Sequence, residues 1–412
     1  MLVRRPQRVR RRFAPDYSPV YLCRRFLESA EVDRCERVGV RIGYDGKFFW
    51  KDARFGSKSG HGVVALDLLR NMLALDRESS YTVYLIAPDA DLPRQNNVEY
   101  VVLPALARSS ALRNLIAYPR ELGRRPVDVM LSHTTLPAFL RCRTVLLLAD
   151  IFWVANPQWL PRRFAVPRTL AVRASVKRAD RIVTTTEFSK REIVRYLNVP
   201  EERIDVVPLG IRETLNARLS PDAIDRVRAK YGIARDFILS INDIHPRKNL
   251  VGLIRAYNRA RATSGFPHQL VFVGRTLWKY PEFFATINES PYRDDILLPG
   301  YVPTEDIPAF YQGAALFVYP SFYEGWGLQV HEAMCAGTPL AIADNSTLSE
   351  IAGGAAAEFD PHDVDEMAES IRRVLESAEL RAAMVAKGLE QVKQFSWKRT
   401  ARRTLEICRE LA

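Results

Sequence analysis

No stretch of this 412-residue sequence approaches the roughly 18 uninterrupted apolar residues that a membrane-spanning helix requires. The nearest candidate, TVLLLADIFWVA, is too short and is interrupted by Asp150. The chain therefore reads as soluble or peripheral. Cysteine is scarce: Cys23, Cys35, Cys142, Cys335 and Cys408 are odd in number, widely spaced and never form CxxC. That usage argues against a disulfide framework or a zinc site and fits a reducing compartment. The first residues lack the apolar core of a secretory signal, so a cytoplasmic location is expected. Short repeats and low-complexity tracts are missing as well, apart from an arginine-rich start.

What is abundant is positive charge. The formal net charge is +12, and the opening MLVRRPQRVRRRF holds six arginines before the first acid, Asp16. A block of like charge is ordinarily solvated and without regular structure, so residues 1–36 read as a basic extension. Its functional reading is attraction to an anionic membrane surface, at about 1 kcal/mol per basic residue near that surface. This would make the protein peripheral at the inner face of the cell membrane. The arginines lack interleaved aromatics and a reading motif, so nucleic acid is not an expected partner. An Arg-rich, acid-poor start is also shared with transit peptides, although nothing else points to an organelle.

From about Val38 onward, short β-branched runs alternate with amphipathic stretches, the pattern of a parallel α/β sheet. The first half offers RVGVRIGYD, YTVYLIAP, VEYVVLP, VDVMLSH, TVLLLAD, RIVTTTEF and IDVVPLG as strands. A polar stretch around Arg212 to Asp225 contains no strand and reads as a link. The pattern then restarts with FILSIND, HQLVFVG, DDILLPGY, ALFVYPS, PLAIAD and AAEFDP. Two doubly wound halves in succession predict a cleft with ligands beyond the carboxyl ends of the strands. The expected domains are 37–215 and 216–395, followed by a final helix over 396–412.

The most informative stretch is YEGWGLQVHEAM, residues 323–334. Glu324 falls on a glycine-broken loop after the strand ALFVYPS, and Glu332 falls inside the helix that follows. Gly337 and Pro339 end that helix. The glycines allow backbone N–H groups to approach a ligand, and the helix N-terminus favours an anion such as phosphate. Carboxylates flanking such a site suit hydroxyl-rich neighbours, a sugar on one side and a ribose on the other.

PSFYEGWGLQVHEAMCAGTPLAIAD resembles the signature of family-4 retaining glycosyltransferases of the GT-B fold. That fold is α/β, with two Rossmann-like domains facing a central cleft and a C-terminal helix that crosses back to the first domain. The resemblance implies that Glu324 contacts the transferred sugar and Glu332 the donor ribose. Backbone from Gly325 and Trp326 to Gly327 and Leu328 would hold the donor's phosphates and sugar. In SINDIHPRKNL the RKN turn implies a phosphate-binding Lys248, with Arg247 beside it. The second cation that this family often carries slightly upstream is replaced here by Asn242–Asp243, leaving Arg247 or Arg275 to compensate. Gly274, Arg275 and the rest of the loop to Trp278, together with Tyr301 and Val302, would border the nucleotide base.

On the acceptor side, the glycine loop FGSKSGHG, with Gly56, Gly60 and Gly62, would face the donor across the cleft. His133 ends a strand where the family has a histidine near sugar and acceptor, which implies a catalytic role alongside Glu324 and Lys248. The family's His-Asp pair reads Ala149–Asp150, so the aspartate is kept and the histidine is not. TTEFSKREI matches a helix entry from which Glu187 could face the acceptor.

The implied reaction is metal-independent transfer from a nucleotide sugar, with no bound cofactor. The expected donor is GDP-mannose, with UDP-sugars open, and the acceptor a polysaccharide or lipid-linked saccharide. DAD at 89–91 also fits the metal-binding DxD of GT-A transferases, but nothing else in the chain does. An epimerase or phosphorylase of the same fold, and a basic non-enzymatic binding protein, are the competing readings. The last would leave the paired glutamates and Lys248 without a purpose.

Overall fold

Each apolar run bounded by turn residues becomes a strand, giving thirteen among the described residues. The structure, a computed structural model, describes residues 39–49, 60–88, 92–211, 217–276 and 280–412. The basic extension, Gly56, Asp89, Asp91 and Trp278 lie outside the described residues, as do Cys23 and Cys35.

The first sheet contains β1 (Arg41–Gly46), β2 (Ser80–Leu85), β3 (Val98–Val102), β4 (Val129–His133), β5 (Arg143–Leu147), β6 (Arg181–Thr184) and β7 (Ile204–Val206). Its order is β3-β2-β1-β4-β5-β6-β7, and every pairing is parallel. The second contains β8 (Phe237–Ile241), β9 (Gln269–Val273), β10 (Ile296–Gly300), β11 (Leu316–Tyr319), β12 (Leu340–Ala343) and β13 (Ala357–Phe359). Its order, β10-β9-β8-β11-β12-β13, is also wholly parallel. Both orders switch direction beside their first strand, and ligands bind at such switch points.

The inner strands are buried on both faces, as parallel sheets require, while the edge strands β3, β7 and β10 are partly exposed. β8 and β11 are apolar almost throughout, with Phe237, Ile238, Leu239, Leu316, Phe317 and Val318 fully buried. The C-terminal helix Trp397–Leu411 leaves the second sheet's side and packs on the helix Gly60–Leu75 and on β4 and β5. Its Ala401, Leu405, Ile407 and Cys408 are buried there, and Thr400 donates a 2.7 Å bond to the Pro208 carbonyl. Residues Val40–Ala412 form one compact unit. None of their described helices is long and apolar enough to cross a membrane.

Candidate active site

β11 ends at Tyr319, and the following PSFYEGWG forms no strand and no helix until Leu328. Gly327 takes φ 86°, a left-handed turn that aims the helix Leu328–Ala336 at the loop. From β8, the single turn Pro246–Lys248 reaches the same place. Between them Glu324 is buried and bridges two cations, with Arg247 Nη1 at 2.9 Å and Lys248 Nζ at 2.5 Å. Lys248 also donates to the Tyr319 hydroxyl at 3.0 Å, which in turn donates to Gln329 Oε1 at 3.0 Å.

Burial pushes Lys248 down to about 8, against the pull of Glu324. Burial alone would raise Glu324, but Arg247 and Lys248 outweigh it and hold the carboxyl at about 2. Two cations and one carboxylate leave a net positive charge beside the helix N-terminus, an environment suited to an anion.

Glu332 lies in the first two turns of the Leu328 helix and accepts a 2.8 Å bond from the Tyr311 hydroxyl. It lines a small pocket with Leu328 and with Val63, one residue beyond Gly62 in the helix Gly60–Leu75. Gly60 and Gly62 therefore start the helix that faces the Leu328 helix. The ring of Trp326 turns inward, stacked on His331 at 4.8 Å, so only its backbone borders the loop. At the other edge, Arg275 forks onto Asp243, with Nη2 3.0 Å from Oδ2 and Nε 3.1 Å from Oδ1. The acid that replaces the family's second cation thus carries its own counter-ion. Val302 is buried and Tyr301 exposed at the end of β10, beyond Gly274.

His133 ends β4 with its Nε2 3.1 Å from the Tyr44 hydroxyl, its ring against Tyr44 and Phe48. Burial pushes it down to about 3, so it is neutral at ordinary pH. Beside it Asp45, Lys47 and Tyr118 form a buried cluster that sequence reasoning missed. Lys47 Nζ is 2.7 Å from Asp45 Oδ2, and the Tyr118 hydroxyl donates to Asp45 Oδ1. The available signal was an acid near the carboxyl end of a buried first strand.

Asp150 and the Glu187 helix meet the loop 322–327 directly. A Cβ on Gly325 would come within 2.3 Å of the Asp150 Cβ, so only glycine allows this approach. Thr185 and Ser189 hydroxyls donate to the Gly325 carbonyl at 2.8 and 3.3 Å. Glu350, also missed, accepts the backbone N–H groups of Glu187 at 2.9 Å and Phe188 at 3.1 Å. Glu187's own side chain is exposed. Phe188 packs edge-on to Tyr323, and Trp159 stacks on Phe322. Among the described residues, no group of three or more His, Cys, Asp or Glu gathers as metal ligands would.

The family model Glycosyl transferases group 1 matches residues 224–391, and Glycosyltransferase Family 4 matches residues 58–214. O-antigen chain mannosyltransferase B of Escherichia coli is 33% identical over 264 residues, 64% of this chain and 69% of that protein. Serotype-specific mannosyltransferase WbdA of Escherichia coli is 30% identical over 240 residues, 57% of this chain but 29% of that protein. Among solved structures, sucrose-phosphate synthase from Thermosynechococcus elongatus superposes with TM-score 0.74 at 17% identity, over 90% of this chain and 99% of that one. WaaG, a glycosyltransferase of lipopolysaccharide biosynthesis, gives 0.70 at 17% identity over 89% and 99%. These matches span both halves of the cleft, and the chain belongs to the group 1, family 4 glycosyltransferases of the GT-B fold.

Proposed function

We propose that this glycosyltransferase moves mannose from GDP-mannose to a saccharide acceptor, with retention of anomeric configuration and without a metal ion. The observation that carries the donor site is the Arg247–Glu324–Lys248 cluster at the N-terminus of the Leu328 helix. The sugar identity is supported by the two mannosyltransferase relatives.

In the proposed reaction the bond between the anomeric carbon and the diphosphate oxygen breaks. Lys248, Arg247 and the helix N-terminus stabilise the charge that develops on the diphosphate, a preorganised electrostatic role. The acceptor hydroxyl bonds to the anomeric carbon on the face the diphosphate leaves, and its proton passes to the departing phosphate oxygen. Glu324 holds both cations in position and faces the sugar, Glu332 takes the ribose, and the neutral His133 shapes the wall on the acceptor side. Gly274, Arg275, Tyr301 and Val302 border the base.

The test is thermal stabilisation of the full chain by a panel of nucleotide sugars, followed by NMR of the product's anomeric proton. GDP-mannose is expected to stabilise most, with the donor's configuration kept in the product and EDTA without effect. Stabilisation by UDP-sugars alone would replace the donor. An inverted product would overturn retention, and activity lost to EDTA and restored by Mn²⁺ would overturn metal independence.

A further inference from the structure

The positive charge is concentrated on one part of the chain. Between Ala105 and Ala179 there are thirteen Arg and Lys residues against three acids, Glu121, Asp128 and Asp150, so this stretch carries +10 of the chain's formal +12. None of the three acids is available to offset it on the outer surface. Glu121 is buried and held by Arg124 at 3.0 Å and Arg125 at 2.8 Å. Asp128 is taken by Arg41, and Asp150 packs on Gly325 in the cleft.

Within this stretch the helix Arg162–Arg178 has six basic residues and no acid. Its Val172, Ser175 and Val176 are buried against the first sheet. The opposite side presents Arg163, Val166, Leu170, Arg173 and Lys177, spaced three or four apart and so on one face, and all exposed. Leu170 is 64% exposed, and Phe164 stands exposed on the flank of the helix, one position from Arg163.

The neighbouring elements continue the surface. The loop after β4 runs between this helix and the continuous helical stretch 110–124. On one side Leu136 N–H bonds Ser175 Oγ at 2.9 Å, and Arg178 donates to the Pro137 carbonyl at 2.7 Å. On the other, Ala138 N–H bonds the Asn114 carbonyl at 2.8 Å. That loop exposes Phe139 at 80%, and the helical stretch exposes Leu112, Leu115 and Ile116. Arg120 and Arg141 stand beside them, also exposed.

We propose that this outer face of the first domain is a docking surface for an anionic phospholipid bilayer. Apolar side chains interleaved with cations and free of carboxylates match an interface where rings and aliphatic groups enter the headgroup layer while arginines meet lipid phosphate. Nucleic acid would satisfy the cations and leave seven exposed apolar side chains without use. The surface also adjoins the cleft, because Arg168 of the same helix lies over the Trp153 ring at 5.6 Å, three residues past Asp150. An acceptor carried in the bilayer would thus arrive beside the acceptor wall. The docking does not depend on the donor: a protein that failed to use GDP-mannose would still partition onto the membrane.

The test is co-sedimentation of the full chain with vesicles of phosphatidylcholine alone and of phosphatidylcholine with phosphatidylglycerol. Binding is expected to the anionic vesicles only and to weaken as salt rises. The double variant Val166→Glu/Leu170→Glu is expected to bind them at least about tenfold more weakly, with unchanged melting temperature and donor binding. A second variant, Arg163→Gln/Arg173→Gln/Lys177→Gln, which adds no charge to an apolar site, is expected to lose binding likewise. Undiminished vesicle binding by both variants would overturn the proposal, as the basic segment 1–36 would then account for the affinity. No vesicle binding by the unaltered chain, preference for RNA over vesicles, or a dimer dissolved by the double variant would overturn it too.

Discussion

At the scale of single residues, the site turns on how three charges share one small volume. Glu324 keeps Lys248 protonated by opposing the burial that drives its pKa down to about 8. The cation is present below that pH and lost above it. The rate kcat/KM is therefore expected to be level near neutrality and to fall as pH rises through about 8, approaching tenfold per pH unit. Replacing Glu324 with Gln removes the negative charge that raises Lys248, so this alkaline limb is expected to move to lower pH. A limb that stayed in place, or moved upward, would separate it from Lys248. Lys248→Ala is expected to keep the fold and to lower kcat/KM by about two to three orders of magnitude, as loss of a preorganised charge-stabilising group does. The two glutamates differ in kind. Glu332→Ala is expected to weaken nucleoside diphosphate binding about tenfold, since a hydrogen bond to a charged group is worth about 1.5–3 kcal/mol. Glu324→Ala frees two cations and is expected to bind that nucleotide at least as tightly while losing transfer. Calorimetric titration of both variants with GDP decides between these outcomes.

At the scale of elements, the loop 322–327 is held from two directions. Its own sheet supplies Arg247 and Lys248, while the first domain supplies Thr185, Ser189 and Asp150. Glu350 completes the seam by covering two N–H groups at the start of the helix Glu187–Leu197, groups that no residue within the helix could satisfy. Glu350→Ala is expected to cost the closed arrangement about 1–3 kcal/mol. The measurement is a lower kcat and a larger radius of gyration in small-angle scattering, with GDP affinity unchanged. A variant with unaltered kcat would deny Glu350 a part in holding the seam. Little of this was legible in the sequence. All thirteen strands were, because each is an apolar run between turn residues, and two motifs pointed separately to Glu324 and to Lys248, though not to the ion pair between them. The seam was not, because it joins residues such as Thr185 and Gly325 that lie far apart in sequence and carry ordinary side chains. The helix Arg162–Arg178 was also hidden: it has no acid in its first turn, carries Pro167 inside, and exposes apolar residues that blur its periodicity.

At the scale of the whole molecule, the chain crosses between its halves twice, and the second crossing fixes one half to the other. The helix Trp397–Leu411 follows the second sheet yet buries Ala401, Ile407 and Cys408 completely against the first domain's Gly60–Leu75 helix and sheet. Arg409 reaches Asp76 at 3.2 Å, and Arg403 reaches Asp205 at 3.2 Å. Both are partly exposed pairs that contribute little, so the apolar contact dominates. This coupling is expected to make the two halves unfold together in a single calorimetric transition. Ile407→Ala leaves a cavity in that contact and is expected to destabilise by about 2–5 kcal/mol. The loss falls on the shared interface and not on the core of the second sheet. The transition is therefore expected to split, with the first domain melting earlier. Under the proposed donor site the nucleotide contacts come chiefly from the second half, so GDP is expected to raise the later transition and leave the earlier one nearly unmoved. A variant that still melts in one transition, raised as a whole by GDP, would mean that the cleft seam alone couples the halves and that the C-terminal helix is dispensable for it.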